Sequence, residues 1–128
     1  MRIGIDLHGV IDSDPDLFKG IMSLKSRDVY IVSGPPKIEI VAELEALGIE
    51  KELHYKEVYS IVDFLKEQGV EMWQDKNRRW WSNDKDWLES KAKICDKLSL
   101  SYMLDDKEMY KAAFDNIKTE FVLYIQGE

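Results

Sequence analysis

At 128 residues the chain can fill one hydrophobic core and is too short for two. Its 45% hydrophobic and 34% charged residues are the mix of an ordinary globule, and no apolar run nears the roughly 20 residues needed to cross a bilayer. A formal charge of −7 argues against long nucleic acid as a partner, while a small phosphorylated metabolite held through a divalent cation stays compatible with it.

The lone Cys95 can form no internal disulfide, and Met1 leads into an apolar strand without a signal-peptide pattern. A cytoplasmic location and no membrane partner are therefore expected.

In chain order, Arg2 to Ile5 reads as a buried strand that delivers Asp6 to a glycine turn. Asp14-Pro15 then starts a helix with Leu17, Phe18, Ile21, Met22 and Leu24 or Lys25 at helical spacing. Asp28 to Val32 is a second strand. Ser33-Gly34-Pro35-Pro36 turns into a second helix, whose face is read as Ile38, Val41, Leu44 and Leu47 and which Gly48 stops.

A third strand centred on Val58 and Tyr59 is placed within 52–60, and Ile61 to Lys66 forms a short helix that Gly69 ends. Val70 to Gln74, the turn Asp75-Lys76-Asn77 and Arg78 to Trp81 read as an aromatic hairpin. Ser82 or Asn83 caps a helix reaching Leu98, and Leu100 to Leu104 is a strand that ends in Asp105-Asp106. A last helix carries Met109, Tyr110, Ala113, Phe114 and Ile117, and Glu120 to Ile125 is a closing strand. Strands alternating with helices predict an α/β fold: a Rossmann-like three-layer α/β/α sandwich on a mainly parallel five-stranded sheet.

In such a sheet ligands sit beyond the carboxyl ends of the strands. Asp6, Ser33 and Asp105-Asp106 all fall there. Each has an ordinary reading alone: a turn-capping Asp, a proline-rich helix start, a solvated Asp-Asp turn. Their coincidence on one sheet edge favours a site. Two adjacent carboxylates repel unless a cation relieves them, and hard oxygen ligands suit Mg²⁺. The prolines lack N–H groups, so the Ser33 hydroxyl and the Gly34 amide must carry any phosphate contact at that turn.

Lys91 lies on the apolar stripe of its helix, among Trp87, Leu88, Ile94, Cys95 and Leu98. It either snorkels or pairs with Asp6 or Asp105 and neutralises a bound phosphate. Cys95 on the same stripe is read as an inert buried thiol, and His54 as a surface or packing residue.

The order of these features resembles the haloacid dehalogenase superfamily, whose phosphatases carry four motifs on a Rossmann-like sheet. Asp6-Leu7-His8-Gly9-Val10 is similar to the first motif, Ser33-Gly34 to the second, Lys91 to the third and Asp105-Asp106 to the fourth. The resemblance spans residues 1–128 as a single domain with a small hairpin insertion at about 70–82, a capless or minimally capped member with an open site.

It implies a Mg²⁺-dependent phosphatase in which Asp6 is the nucleophile and forms an aspartyl-phosphate on a small phosphomonoester. The metal ligands would be the Asp6 carboxylate, the His8 backbone carbonyl and the Asp105-Asp106 pair. Ser33, Gly34 and Lys91 would hold the transferring phosphoryl group.

The family usually carries a second Asp, the acid/base, two residues after the nucleophile. His8 stands there instead. It is either a working substitute or the mark of a catalytically weakened domain that binds a phosphorylated ligand or a protein partner. Carbon–halogen hydrolysis suits the chain less, because that branch of the family has no need for Asp105-Asp106.

In the hairpin, Trp73, Arg78, Arg79, Trp80 and Trp81 would suit a nucleotide or sugar phosphate through stacking or a distal phosphate contact. Hairpin packing with snorkelling arginines, or a self-association surface, accounts for them equally. A monomer or weak homodimer is expected.

Overall fold

The structure, a computed structural model, describes residues 1–24 and 27–126. Lys25, one candidate for the face of the first helix, lies outside them.

Strand β1 (Arg2–Ile5) occupies the middle of a five-stranded sheet in the order β3-β2-β1-β6-β7. The others are β2 (Asp28–Ser33), β3 (Glu57–Ser60), β6 (Tyr102–Asp105) and β7 (Glu120–Leu123), and every pairing is parallel. Ile5 stands opposite Ile31 on one side and Leu104 on the other. The chain thus steps outward from β1 through β2 to β3, then crosses back to build the other half. Between β1 and β6 the strand order reverses, the switch point at which open α/β sheets bind ligands.

Successive side chains of a strand face opposite ways, so each strand feeds two cores. Ile31 and Leu104 belong to the layer covered by α1 (Pro15–Met22) and α2 (Lys37–Ala46), with Phe18, Ile40 and Leu44 buried against them. Val32 and Met103 belong to the opposite layer, under α3 (Ile61–Glu67) and α4 (Asp84–Lys97), with Leu65, Ile94 and Cys95. Burying such an aliphatic side chain contributes about 1.5–3 kcal/mol.

The helix starts follow their capping residues. Asp14 accepts from the Leu17 amide with Pro15 in the first turn, Ser60 accepts from Asp63, and Asn83 accepts from Asp86. After α2, Gly48 takes φ +74°, which lets the Ile49 amide turn back to the Leu44 carbonyl.

Three elements depart from the sequence expectation. Ile38 is 80% exposed, and the buried face of α2 centres on Ile40 and Leu44. A run spaced strictly i, i+3 precesses about 60° per step on a 3.6-residue helix, which leaves Ile38 on the far side from Ile40. The segment expected as a last helix is a 3₁₀ helix, Glu108–Phe114, which buries Tyr110 and Phe114 while Met109 faces solvent. Strand β7 stops at Leu123, short of Ile125, because its partner β6 ends at Asp105, the residue opposite Leu123.

The hairpin is present but minimal. β4 (Trp73–Gln74) and β5 (Trp80–Trp81) pair antiparallel over two residues each. No helix among the described residues is long and apolar enough to cross a membrane.

At the far edge of the sheet Glu57 ties β3 to its surroundings. It accepts from Lys37 at 2.9 Å and from Lys51 at 3.2 Å. Burial opposes its charge, but the Lys37 bond, the Val58 amide and the Lys51 bond outweigh that and hold its carboxyl down at about 2. A lowered acid stabilises the fold above its unfolded value and loses that contribution as pH falls through the folded one. Glu57→Gln should therefore cost about 1 kcal/mol or less at neutral pH, in keeping with a partly exposed pair. Urea titrations across pH should show the two proteins converging in stability by about pH 2; a gap that persists there would contradict this account.

Candidate active site at the sheet switch point

The backbone leaves β1 at Asp6 and folds into a compact loop rather than a loose turn. Ile11 donates to the Asp6 carbonyl, Asp12 donates to the Leu7 carbonyl, and the Gly9 amide donates to Asp12 Oδ1 at 2.7 Å. Leu7, Val10 and Ile11 are buried beneath it. The loop is thus anchored from below by apolar side chains and braced from within by Asp12. Asp6 and Gly9 both lie beside Asp106, and the His8 carbonyl accepts no backbone hydrogen bond among the described residues.

Asp6 is 5% exposed, Asp105 0%, and Lys91 2%. Lys91 reaches from α4 across the end of the sheet to both carboxylates, lying 3.3 Å from Asp6 Oδ2 and donating a short hydrogen bond to Asp105 Oδ2. The sequence left the partner open between Asp6 and Asp105. The structure gives Lys91 both. Its ammonium also sits 4.4 Å from the centre of the Tyr110 ring, whose hydroxyl accepts from Trp87 Nε1.

The charges do not balance. Burial alone would strip the Lys91 proton, yet Asp6 and Asp105 more than offset it and hold the ammonium well above its ordinary range. Burial pushes the Asp6 carboxyl upward; Lys91 pulls the other way, Asp105 adds to the rise, and the net direction is up. The Lys91 shift is thus set by its two carboxylate neighbours, whereas the Asp6 rise comes first from burial and only then from Asp105. Cys95, nearby on α4, is pushed up to about 12 by burial and is no nucleophile.

Asp6, Asp105 and Asp106 each offer an oxygen within 4.8 Å of the others. Their roles differ. Asp105 has both oxygens engaged, Oδ2 by Lys91 and Oδ1 by the Lys107 amide at 3.0 Å. Asp106 Oδ1 is buried without a hydrogen-bond partner. A buried carboxylate oxygen with no donor is costly, and a divalent cation would satisfy it.

Gly9 fits the same reading. At φ +82° it lies so close to Asp106 that a Cβ would come within 2.0 Å of Oδ2. Only glycine lets this carboxylate stand beside Asp6.

Ser33 closes the site from β2. Its Oγ is buried and makes no well-formed hydrogen bond, although it lies close enough to Asp6 to favour the carboxylate. Gly34 follows with its carbonyl taken by the Val62 amide. The expected constellation of Asp6, Ser33, Gly34, Lys91, Asp105 and Asp106 is therefore gathered at one edge.

His8 is placed differently from a residue aimed at that centre. Its side chain is 44% exposed, and Nε2 meets Glu43 Oε2 of α2 at 2.5 Å. A carboxylate can only accept, so Nε2 donates and Nδ1 is the other available nitrogen. Glu43 was not anticipated, because no spacing rule links residue 8 to a helix on the neighbouring strand's crossover. Tyr110 and Trp87 were placed as core, and their pairing above Lys91 had no sequence signal either. His54 is structural: its Nδ1 accepts the Glu50 amide.

Beside this edge runs a cleft of about 470 Å³, floored by His8, Gly34 and Trp87 and walled by the hairpin residues Arg78, Arg79 and Trp80.

Among solved structures, the chain is similar to a crystal structure of an uncharacterized protein from Corynebacterium glutamicum, with 19% sequence identity over 98% of this chain and 85% of that one and a TM-score of 0.56. Likeness at that identity shows a common α/β fold. No protein-family model and no curated protein sequence matches the chain.

Two outcomes test the charge arrangement. In thermal shift against MgCl₂ concentration, Mg²⁺ should raise the Tm of the parent, and Gly9→Ala should keep the fold, with a modest fall in Tm, and lose the response to Mg²⁺. Lys91→Met should cost about 3–5 kcal/mol in urea unfolding, because it strands two buried carboxylates. Mg²⁺ should recover part of that loss.

Proposed function

We propose that this chain is a Mg²⁺-dependent phosphomonoesterase of the haloacid dehalogenase type. The observation that carries the reading is the pair of unsatisfied buried oxygens, Asp106 Oδ1 and Ser33 Oγ, flanking an Asp6 carboxylate already held by Lys91. One oxygen lacks a cation and the other is a hydroxyl available to an anion.

In this reading Asp6, Asp106 and the His8 carbonyl hold the metal, while Asp105 serves mainly to fix Lys91. The bound cation would supply charge neutralisation between the phosphate and the attacking carboxylate. Asp6 Oδ would attack phosphorus as the ester P–O bond breaks, and the leaving alkoxide would take a proton from Nδ1 of a His8 imidazolium, which the attacking water then returns to Nδ1 in the second step. Water then attacks the aspartyl-phosphate, returning Asp6 and releasing inorganic phosphate. Lys91 and Ser33, with the Gly34 amide, bind the equatorial oxygens as charge develops there. The substrate class is a small phosphorylated metabolite, a nucleotide or sugar phosphate, in a cleft wide enough for either.

His8 would move the protons through Nδ1, with Nε2 tethered to Glu43. That same tether favours a second reading, in which the ring is held against α2 and the domain binds a phosphorylated ligand or protein partner without turnover.

Hydrolysis of an aryl phosphate separates the two. Under the first reading the wild type turns over only with Mg²⁺, Asp6→Asn is inactive, and His8→Asp stays within about tenfold of wild type. Under the second, the wild type is silent and His8→Asp gains activity, general acid–base catalysis contributing about 10²–10⁴-fold. Turnover that survives Asp6→Asn or chelation would sink the phosphatase mechanism.

A further inference from the structure

The hairpin wall of the cleft carries a feature that a plain phosphomonoester does not use. Arg78 and Arg79 both line it, and neither guanidinium has a carboxylate within 4.0 Å among the described residues. In a chain with 25 acidic and 18 basic residues, adjacent arginines without partners are not explained by a shortage of carboxylates.

The nearest acid in sequence is committed elsewhere. Asp75 Oδ1 accepts from the Asn77 and Arg79 amides and Oδ2 accepts from Trp81 Nε1, so Arg79 acts on it only at longer range. These bonds lock the turn, and Arg78 sits at φ +63°, a conformation that non-glycine residues seldom adopt. Trp80 is fixed in turn by the Lys66 ammonium, 3.7 Å from its ring centre. The arginines therefore stand on a rigid base, and ordering them on a ligand costs less than it would on a loose loop.

Snorkelling does not account for the pair, since both residues are exposed on the turn rather than laid along apolar surface. Glu39 on the facing wall supplies the opposite charge, so the cleft is polarised, with cation on the hairpin side.

We propose that Arg78 and Arg79 form a second anion subsite, and that the ligand of this cleft carries two phosphate groups, one at the Asp6 centre and one at the hairpin. The proposal rests on the phosphatase reading only for what happens at the first phosphate. Two adjacent forks of N–H donors match the oxygens of a phosphate. The cleft of about 470 Å³ that both arginines line meets the edge of the first centre at His8 and Gly34, and its volume is in the range of small-ligand sites.

The test is calorimetric titration of the full chain with Mg²⁺, comparing fructose 1,6-bisphosphate with fructose 6-phosphate. The bisphosphate should bind at least tenfold more tightly. That advantage should vanish in Arg78→Asn/Arg79→Gln, asparagine being chosen because it tolerates the left-handed backbone, and shrink in Arg79→Gln alone. The loss should fall on the bisphosphate, with fructose 6-phosphate affinity changing far less in both variants.

Equal affinity for the two sugars in the wild type, or an advantage that survives both substitutions, would overturn the subsite. If the advantage is present and arginine-dependent while the wild type hydrolyses nothing, the subsite stands and the phosphatase reading fails. If aryl phosphate is hydrolysed but the bisphosphate gains nothing, the reverse holds.

Discussion

The ammonium of Lys91 is the constraint on which the rest of the sheet edge depends. A lysine taken out of water survives as a cation only where carboxylates replace the hydration it loses. Here the replacement comes from the first strand and from the sixth, so α4 must be phased to deliver the lysine between them. The Asn83 cap, the buried Ser90 and Ala92 beside the lysine, and Tyr110 over it all serve that phase. An ion pair of this kind adds little stability on balance. Its value lies in setting where each charge stands.

That placement divides labour among carboxylates that look alike in sequence. Asp105 has Lys91 and the Lys107 amide on its two oxygens, Asp6 accepts from the Leu7 amide at Oδ1 and faces Lys91 at Oδ2, and Asp106 is left with an oxygen bare. Carboxylates of one residue type are thereby left with unequal demand for a further positive partner. The tryptophan that donates to Tyr110 also forms the cleft floor, so the ligand chamber and the lysine share one hydrogen-bonded strut.

Much of this was legible in the sequence because it obeys short-range rules. The apolar run before Asp6, the caps at Asp14 and Asn83, and the place of Lys91 on an apolar stripe are each set by neighbours a few residues away. Asp6, Ser33 and Asp105 could be grouped because a parallel sheet brings strand ends together wherever its strands fall in sequence. What could not be read depends on phase or on contacts between distant elements. The i, i+3 run in α2 misassigned Ile38 because such spacing drifts around a helix. Glu43 reaches His8 only once α2 has docked, and the saturation of Asp105 by Lys91 and Lys107 is a matter of ångströms. The shortness of β4 and β5 follows from a turn held by Asp75, which a pattern of aromatic residues does not reveal.

The central strand is also the first one made. Ile3, Gly4 and Ile5 take Val29, Tyr30 and Ile31 as neighbours on one side, which arrive early, but wait for Tyr102, Met103 and Leu104 on the other. During synthesis the central strand therefore keeps one edge open until β6 has emerged, and closing it draws together segments far apart in sequence, a slow event that exposes an edge to aggregation. Asp6 meets Lys91 and Asp105 only in that last closure. The charge cluster is thus assembled only by completion of the sheet, and a chain halted before β6 would hold a buried carboxylate's worth of sequence with nothing to bury it against.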